Sequence, residues 1–275
     1  MKTAHVPSST TGSVLVELVV SIALAAVTMA GVVQVMALHN RVYVEQDLGV
    51  SMQQNLRMAS DIVTDTMRTS GYGVPSTNVS TWIPWVASFT ANPLIIQGTT
   101  DTLTVAGCFR EPVAHLSARA AVGSTVLSVA SDVSGSSVNT LLDTGTKRLI
   151  LIGESEAAHV VDAGASSITI DINPTLTGNQ GLPRPYPAGT PICRVDVRRF
   201  QITTDTTTGL STLTLDENDG SGARALAEGI SDLQIDPIPG TKRYQVAVAA
   251  RTEKTLPTTG NYVTRTLRSI VTLKN

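Results

Sequence analysis

Residues 13–38 form an almost unbroken apolar run that carries a single charge, Glu17. About 20 apolar residues suffice for a helix to cross a bilayer, so the run is long enough to span one. An ionised carboxylate within such a helix costs up to roughly 2.5–3.5 kcal/mol on insertion scales, which makes a lone one a functional signal. A secretory signal peptide would have a shorter apolar core, about 7–15 residues, followed by a small-residue cleavage site. No such site with a polar start is evident after Leu38. A plain membrane anchor accounts for the length but gives no reason to keep Glu17. Lys2 and the amino terminus are the only positive charges in the leader. By the positive-inside rule they hold it in the cytoplasm and export the rest.

Beyond Leu38 the apolar positions Val42, Leu48, Met52, Leu56, Ala59, Val63 and Met67 recur mostly three or four apart. That is a helical stripe, with Arg41, Glu45, Asp47, Arg57, Asp61, Asp65 and Arg68 as its wet face. Gly71-Tyr72-Gly73 is a C-terminal stop signal. A continuous helix over 13–70 would be roughly 87 Å long. Gly31 and Gly49 are tolerated weak points along it.

After Gly73 the chain is rich in Thr, Ser, Val, Gly and Pro, a texture of short strands and turns. Predicted strands are 101–106, 124–130, 148–152, 167–172, 191–203, 212–216, 231–236, 243–251 and 262–273. The last two alternate apolar and polar residues, as antiparallel strands with one covered face do. The amphipathic half of the first helix is the natural cover. Segments 74–93 and 174–190 read as loops. The fold class is therefore α+β: a long N-terminal helix, half membrane-spanning and half amphipathic, packed on an antiparallel β-sheet domain. Its parts are a leader over 1–12, a membrane helix over 13–38, an amphipathic helix over 39–70 and a β-rich domain over 71–275.

The composition limits the chemistry. Twenty basic residues against 22 acidic give a formal charge of −2, and aromatics make up 4%, so no basic–aromatic stripe for nucleic acid exists. His5, His39, His115 and His159 lie in unrelated contexts, with no spaced carboxylate or thiol partner. No GxSxG, HExxH or phosphate-loop pattern occurs, so neither catalysis nor a cofactor is expected. Asp216-Glu217-Asn218-Asp219-Gly220 starts as a calcium loop does, but its Gly comes one position early and the distal Glu is misplaced. A solvated hairpin turn is the competing explanation. Cys108 and Cys193 sit near the ends of predicted strands in the exported part, where a disulfide persists. Two buried free thiols are the alternative. Trp82 and Trp85, flanking Pro84, either anchor a loop on the core or expose a partner surface.

Gly12-Ser13-Val14-Leu15-Val16-Glu17-Leu18 resembles the class III signal of type IV pilins and type II secretion pseudopilins. The resemblance implies cleavage between Gly12 and Ser13 by a prepilin peptidase on the cytoplasmic side. It makes Ser13, which stands where the family usually has Phe or Met, the N-methylated first residue. Glu17 becomes the glutamate at mature position five, partner to the α-amine of a neighbouring subunit during assembly. Arg68-Thr-Ser-Gly-Tyr-Gly is similar to the helix end of PilW-type minor pilins. The stretches starting at Ala188, Leu226 and Arg268 resemble that family's later landmarks in the same order. Region 110–185 is least constrained and reads as a specific insertion.

The implied function is that of a non-enzymatic minor pilin that helps initiate or cap a type IV pilus. It would sit in the inner membrane by a single pass, with its C-terminal domain periplasmic, and later at the pilus tip. The implied partners are other minor pilins, the major pilin, the inner-membrane assembly platform and a tip adhesin. A J-type minor pseudopilin of a type II secretion system shares the architecture. A membrane-anchored binding module that keeps its leader is the alternative of a different class.

Overall fold

The computed structural model describes residues 11–72, 74, 94–97, 102–142, 149–153, 155–217 and 221–273. It is an α+β chain: one long N-terminal helix, α1 (Thr11–Thr69), precedes a mostly antiparallel β domain. The chain divides into two compact units. The first holds residues up to Val50 together with Lys254–Val263, and the second holds Ser51–Glu253 with Thr264–Asn275.

In the first unit, every described side chain over 14–44 is exposed. Gly31 and Gly49 lie within the helix without interrupting it, and a Cβ at either would meet nothing. The loop Lys254–Val263 meets the helix where Thr258 donates its backbone N–H (2.9 Å) and its hydroxyl to the Glu45 carboxylate.

In the second unit the helix becomes amphipathic in fact. Met52, Leu56, Ala59, Val63 and Met67 are buried, while Arg57, Asp61, Asp65 and Arg68 stay in solvent. Burying side chains of this kind stabilises by about 1.5–3 kcal/mol for each large one, which is what fixes the helix to the domain. The predicted stripe starts later than expected: Val42 is exposed and Leu48 half-buried. The helix stops where Gly71 takes φ +81°, the left-handed conformation that ends helices without a Cβ penalty. The Gly71 N–H leaves the helix and donates to Ala106 O at 2.7 Å. Thus the helix end is joined to the first long strand.

The strands are β1 (Leu94–Gln97), β2 (Thr102–Gly107), β3 (Ala114–Leu116), β4 (Val126–Ser131), β5 (Leu149–Ile152), β6 (Glu156–Ala163) and β7 (Ser167–Asp171). They continue as β8 (Pro191–Arg194), β9 (Asp196–Thr204), β10 (Ser211–Asp216), β11 (Arg224–Glu228), β12 (Ile230–Ile238), β13 (Arg243–Arg251) and β14 (Thr264–Thr272). A short helix, α2 (Val138–Leu142), lies between β4 and β5. Three assemblies result among the described residues: a five-stranded sheet β1-β2-β9-β10-β11, a three-stranded sheet β12-β13-β14, and a closed barrel β3-β4-β7-β6-β5-β8.

The barrel is the content of the expected insertion. It occupies the connection between β2 and β9, which pair antiparallel from Thr102↔Gln201 to Gly107↔Asp196. Leu127, Val129, Ile150, Ile152, Val160, Ile168 and Ile170 fill it, and Val138 and Leu142 of α2 join the same core. Closure leaves a small β structure without open edges, which makes so short an insertion viable.

Two expectations need correction. The strand expected over 191–203 is two strands, because the chain changes assembly at Val195. β8 pairs with β3 and β5 in the barrel, Val195 N–H donates to Leu149 O at 2.9 Å, and β9 then enters the five-stranded sheet. In addition β1, β3, β6 and β11 were not expected at all. β6 and β11 read Glu-Ala-Ala-His and Arg-Ala-Leu-Ala-Glu, compositions that favour helix, and tertiary pairing overrides them. Residues 174–190 contain no named helix or strand, as expected, and their one bridge is Ala120↔Tyr186. Segment 75–93 and the 1–10 part of the leader lie outside the described residues.

Gly107, the last residue of β2, is where the helix end and the sheet come closest. A Cβ there would stand 2.7 Å from the backbone oxygen of Thr69 and 3.2 Å from the Phe109 ring. Backbone on one side and a ring on the other cannot yield cheaply. Gly107→Ala is expected to destabilise the domain by about 1–3 kcal/mol, and Gly107→Val by more. Denaturant unfolding of the full chain in detergent measures this, and an unchanged midpoint would mean that α1 is not tightly seated on β2.

Candidate functional site

The N-terminal site is built by helical spacing alone. Gly12 and Ser13 fall in the first turn of α1, and Glu17 is four residues beyond Ser13, on the same helix face. Val14, Leu18, Ser21, Ile22 and Ala25 share an exposed helix face with Glu17. Ser21 donates its hydroxyl to the Glu17 backbone oxygen at 2.8 Å and so serves the backbone. Within 14–38 no other residue is ionisable. One helix of the described chain is long and apolar enough to cross a membrane, and it is this one. Its window is wholly unburied by the rest of the protein.

A second constellation occupies the neck of the barrel. Cys108, one residue past β2, and Cys193, in β8, form a disulfide across a sequence separation of 85. Their Cα atoms are 6.1 Å apart, within the ordinary range. The open alternative of two free thiols is thereby closed. The bond ties together the two chain segments that enter and leave the insertion.

Charged groups surround it. Arg110 contacts Glu217 at 2.7 Å and Asp196 at 3.6 Å, and Arg194 contacts Asp196 at 2.7 Å. Arg198 and Arg224 approach the other Glu217 oxygen at 3.3 and 3.5 Å. Arg194 also donates to Leu141 O at 3.1 Å, reaching α2 of the barrel. The Arg198 guanidinium stacks 4.7 Å above the Phe109 ring. Burial lowers the Arg198 pKa from its ordinary value, and the Arg110 and Arg224 charges add to that, while Glu217 and Asp196 oppose it. Four arginines and two carboxylates from the barrel stem, β8, β9, the turn after β10 and β11 make an ionic latch. Its chemistry is positional: it sets how the barrel is held against the five-stranded sheet.

The latch absorbs part of the calcium-like run. Asp216 ends β10 and Glu217 serves the arginines, while 218–220 lie outside the described residues. β10 and β11 pair antiparallel on either side of the run, the layout of a hairpin connection. Among the described residues no group of three His, Cys, Asp or Glu side chains is placed to hold a metal ion. His39 lies on α1. His115 contacts Asp132 on one side of the barrel, and His159 sits on β6. Trp82 and Trp85 fall outside the described residues.

Of the latch residues, sequence singled out only Glu217, as part of the calcium-like run and not as an ion-pair partner. Their partners are brought in from distant strands, and no local spacing announces them. Comparison of the chain with protein-family models, with curated proteins and with solved structures finds no match.

Proposed function

We propose that this chain is a structural subunit of a type IV pilin-like filament, a minor pilin of the PilW type. On this reading it is made with a leader ending at Gly12, inserted by α1, cleaved before Ser13, N-methylated there, and drawn from the inner membrane into the filament. The observation that carries the proposal is Glu17, the single ionisable group of an exposed apolar helix, five residues after Gly12. An anchor embedded in lipid gains nothing from it. A helix that must line up with its neighbours gains a charge to pair with the new α-amine, since an unpaired buried charge costs several kcal/mol and only good alignment recovers it.

Further support comes from the layout. A helix that is exposed over 14–38 and amphipathic from Met52 suits both lipid and a helical filament core. The disulfide supports export of that domain, because such bonds persist in oxidising compartments. The subunit's work is assembly, with no catalytic step. Other minor pilins, the major pilin and the assembly platform are its partners.

Mass analysis of the N terminus tests this directly. The expected mature chain starts at Ser13 and is heavier by one methyl group. A chain that keeps Met1 and carries no methyl group would instead be a membrane-anchored binding module.

A further inference from the structure

The last strand, β14, ends the three-stranded sheet, and its ladder with β13 runs from Thr264↔Arg251 to Thr272↔Arg243 without a register shift. A hydrogen bond from Leu273 N–H to Lys242 O, 3.1 Å, sets the phase of that ladder. It makes Thr272 and Arg243 a non-hydrogen-bonded pair, and pair types alternate along antiparallel strands. Arg265, Leu267, Ser269 and Val271 therefore turn their N–H and C=O groups toward β13. Thr264, Thr266, Arg268, Ile270 and Thr272 turn theirs to the open side. All five are exposed, and among the described residues no hydrogen bond reaches their backbone groups from that side.

Proteins normally blunt an edge like this with proline, a bulge, short length, charged side chains or a cover. The other edges here are so treated. β12 contains Pro237 and a register shift near Ile230. β11 has five residues and a bulged partner ladder, and Asn55 of α1 donates to Glu228 O at its end. β1 has four residues, and the barrel closes on itself. β14 has nine regular residues, with no proline and no bulge, and its protection is charge alone: Arg265 and Arg268 repel basic strands but not acidic ones.

Charge selects the occupant. β14 carries Arg265 and Arg268 on opposite faces and no acidic residue. Arg243 and Arg251 of β13 lie directly across from Thr272 and Thr264, hence on the Arg268 face. A second copy of β14 would bring like charges into one ladder, which is destabilising. A strand with carboxylates complements it.

We infer that the open edge of β14 is a strand-addition site for an extended segment of a different polypeptide, bearing two carboxylates three residues apart that face Arg265 and Arg268. Main-chain hydrogen bonds from the five outward residues supply affinity, and the arginines supply register and selectivity. This inference does not rest on the filament reading.

The test uses the full chain in detergent micelles with a capped nonapeptide of threonine and valine that carries two glutamates three residues apart. The control peptide has lysines in place of the glutamates. The glutamate peptide is expected to slow amide exchange at Thr266, Arg268 and Ile270 by about tenfold, and the lysine peptide to leave it unchanged. Thr266→Pro with Ile270→Pro removes only outward N–H groups and is expected to abolish the response. If that variant misfolds, Arg265→Glu with Arg268→Glu serves instead and should transfer the response to the lysine peptide. No protection with either peptide, equal protection with both, or pairing of β14 with a second copy in their absence would overturn the inference.

Discussion

Glu17→Ala is expected to leave the protein in the membrane at its normal level and to remove it almost entirely from sheared filaments. The two halves of the result have different physical origins. Removing the carboxylate from the apolar run of α1 relieves an insertion cost of up to roughly 2.5–3.5 kcal/mol, so retention in lipid can only improve. On the proposed filament function, what disappears is the anionic partner of the Ser13 amine. Ser13 and Glu17 lie one turn apart along the helix, so a subunit cleaved before Ser13 would present a cation and an anion along the same stripe. A neighbour shifted along the filament axis by the right amount would set one against the other, and the carboxylate would also offset the unfavourable contact of the amine with the positive end of its own helix dipole. Without the carboxylate, every incoming subunit would carry an unpaired buried amine, a loss of about 3–5 kcal/mol. At about 1.4 kcal/mol per factor of ten, that is a deficit of roughly 100-fold or more in incorporation. Glu17→Gln separates charge from shape and should fail nearly as badly. Quantitative immunoblots of membrane and sheared fractions from cells carrying each variant measure both halves. Normal incorporation of Glu17→Ala would remove Glu17 from assembly altogether.

The parts of this molecule legible in the sequence are those whose physics is local. The apolar run, the stripe Met52 to Met67 and the Gly71 stop each depend on neighbours within a turn or two, and each is where the periodicity puts it. Alternation likewise located β13 to the residue and most of β14. The barrel was hidden because closure depends on which edges meet. β3 has three residues and gains its identity by pairing with β4 on one side and with β8, far away in sequence, on the other. Val195 shows the same limit: nothing in the apolar texture of 191–203 marks the point where the chain leaves one assembly for another. The latch is the extreme case. Arg110, Asp196, Glu217 and Arg224 are unremarkable surface-type residues until β2, β9, β10 and β11 align, and only then does Glu217 find three guanidinium groups.

Opening the Cys108–Cys193 bond is expected to lower the thermal midpoint of the β domain by about 8–20 °C. The bond closes a segment 85 residues long, and the chain-entropy relation assigns such a loop about 4–5 kcal/mol. For a domain of about 150–250 residues each kcal/mol shifts the midpoint by about 2–4 °C. The bond sits at the base of the insertion, so the entropy it removes is that of the whole barrel segment swinging free from β2 and β9. The latch cannot replace it. Arg110 is nearly half exposed, and solvent screening reduces what its contacts with Glu217 and Asp196 contribute. The variant of choice pairs Cys108→Ser with Cys193→Ala, since Cys193 is buried and a serine there would strand a hydroxyl. Near-UV circular dichroism melts of this variant, and of the natural protein with and without reductant, give the shift, and a thiol titration confirms that the bond has opened. A midpoint that stays within a few degrees after complete reduction would mean that the barrel is held by its packing and ion pairs alone.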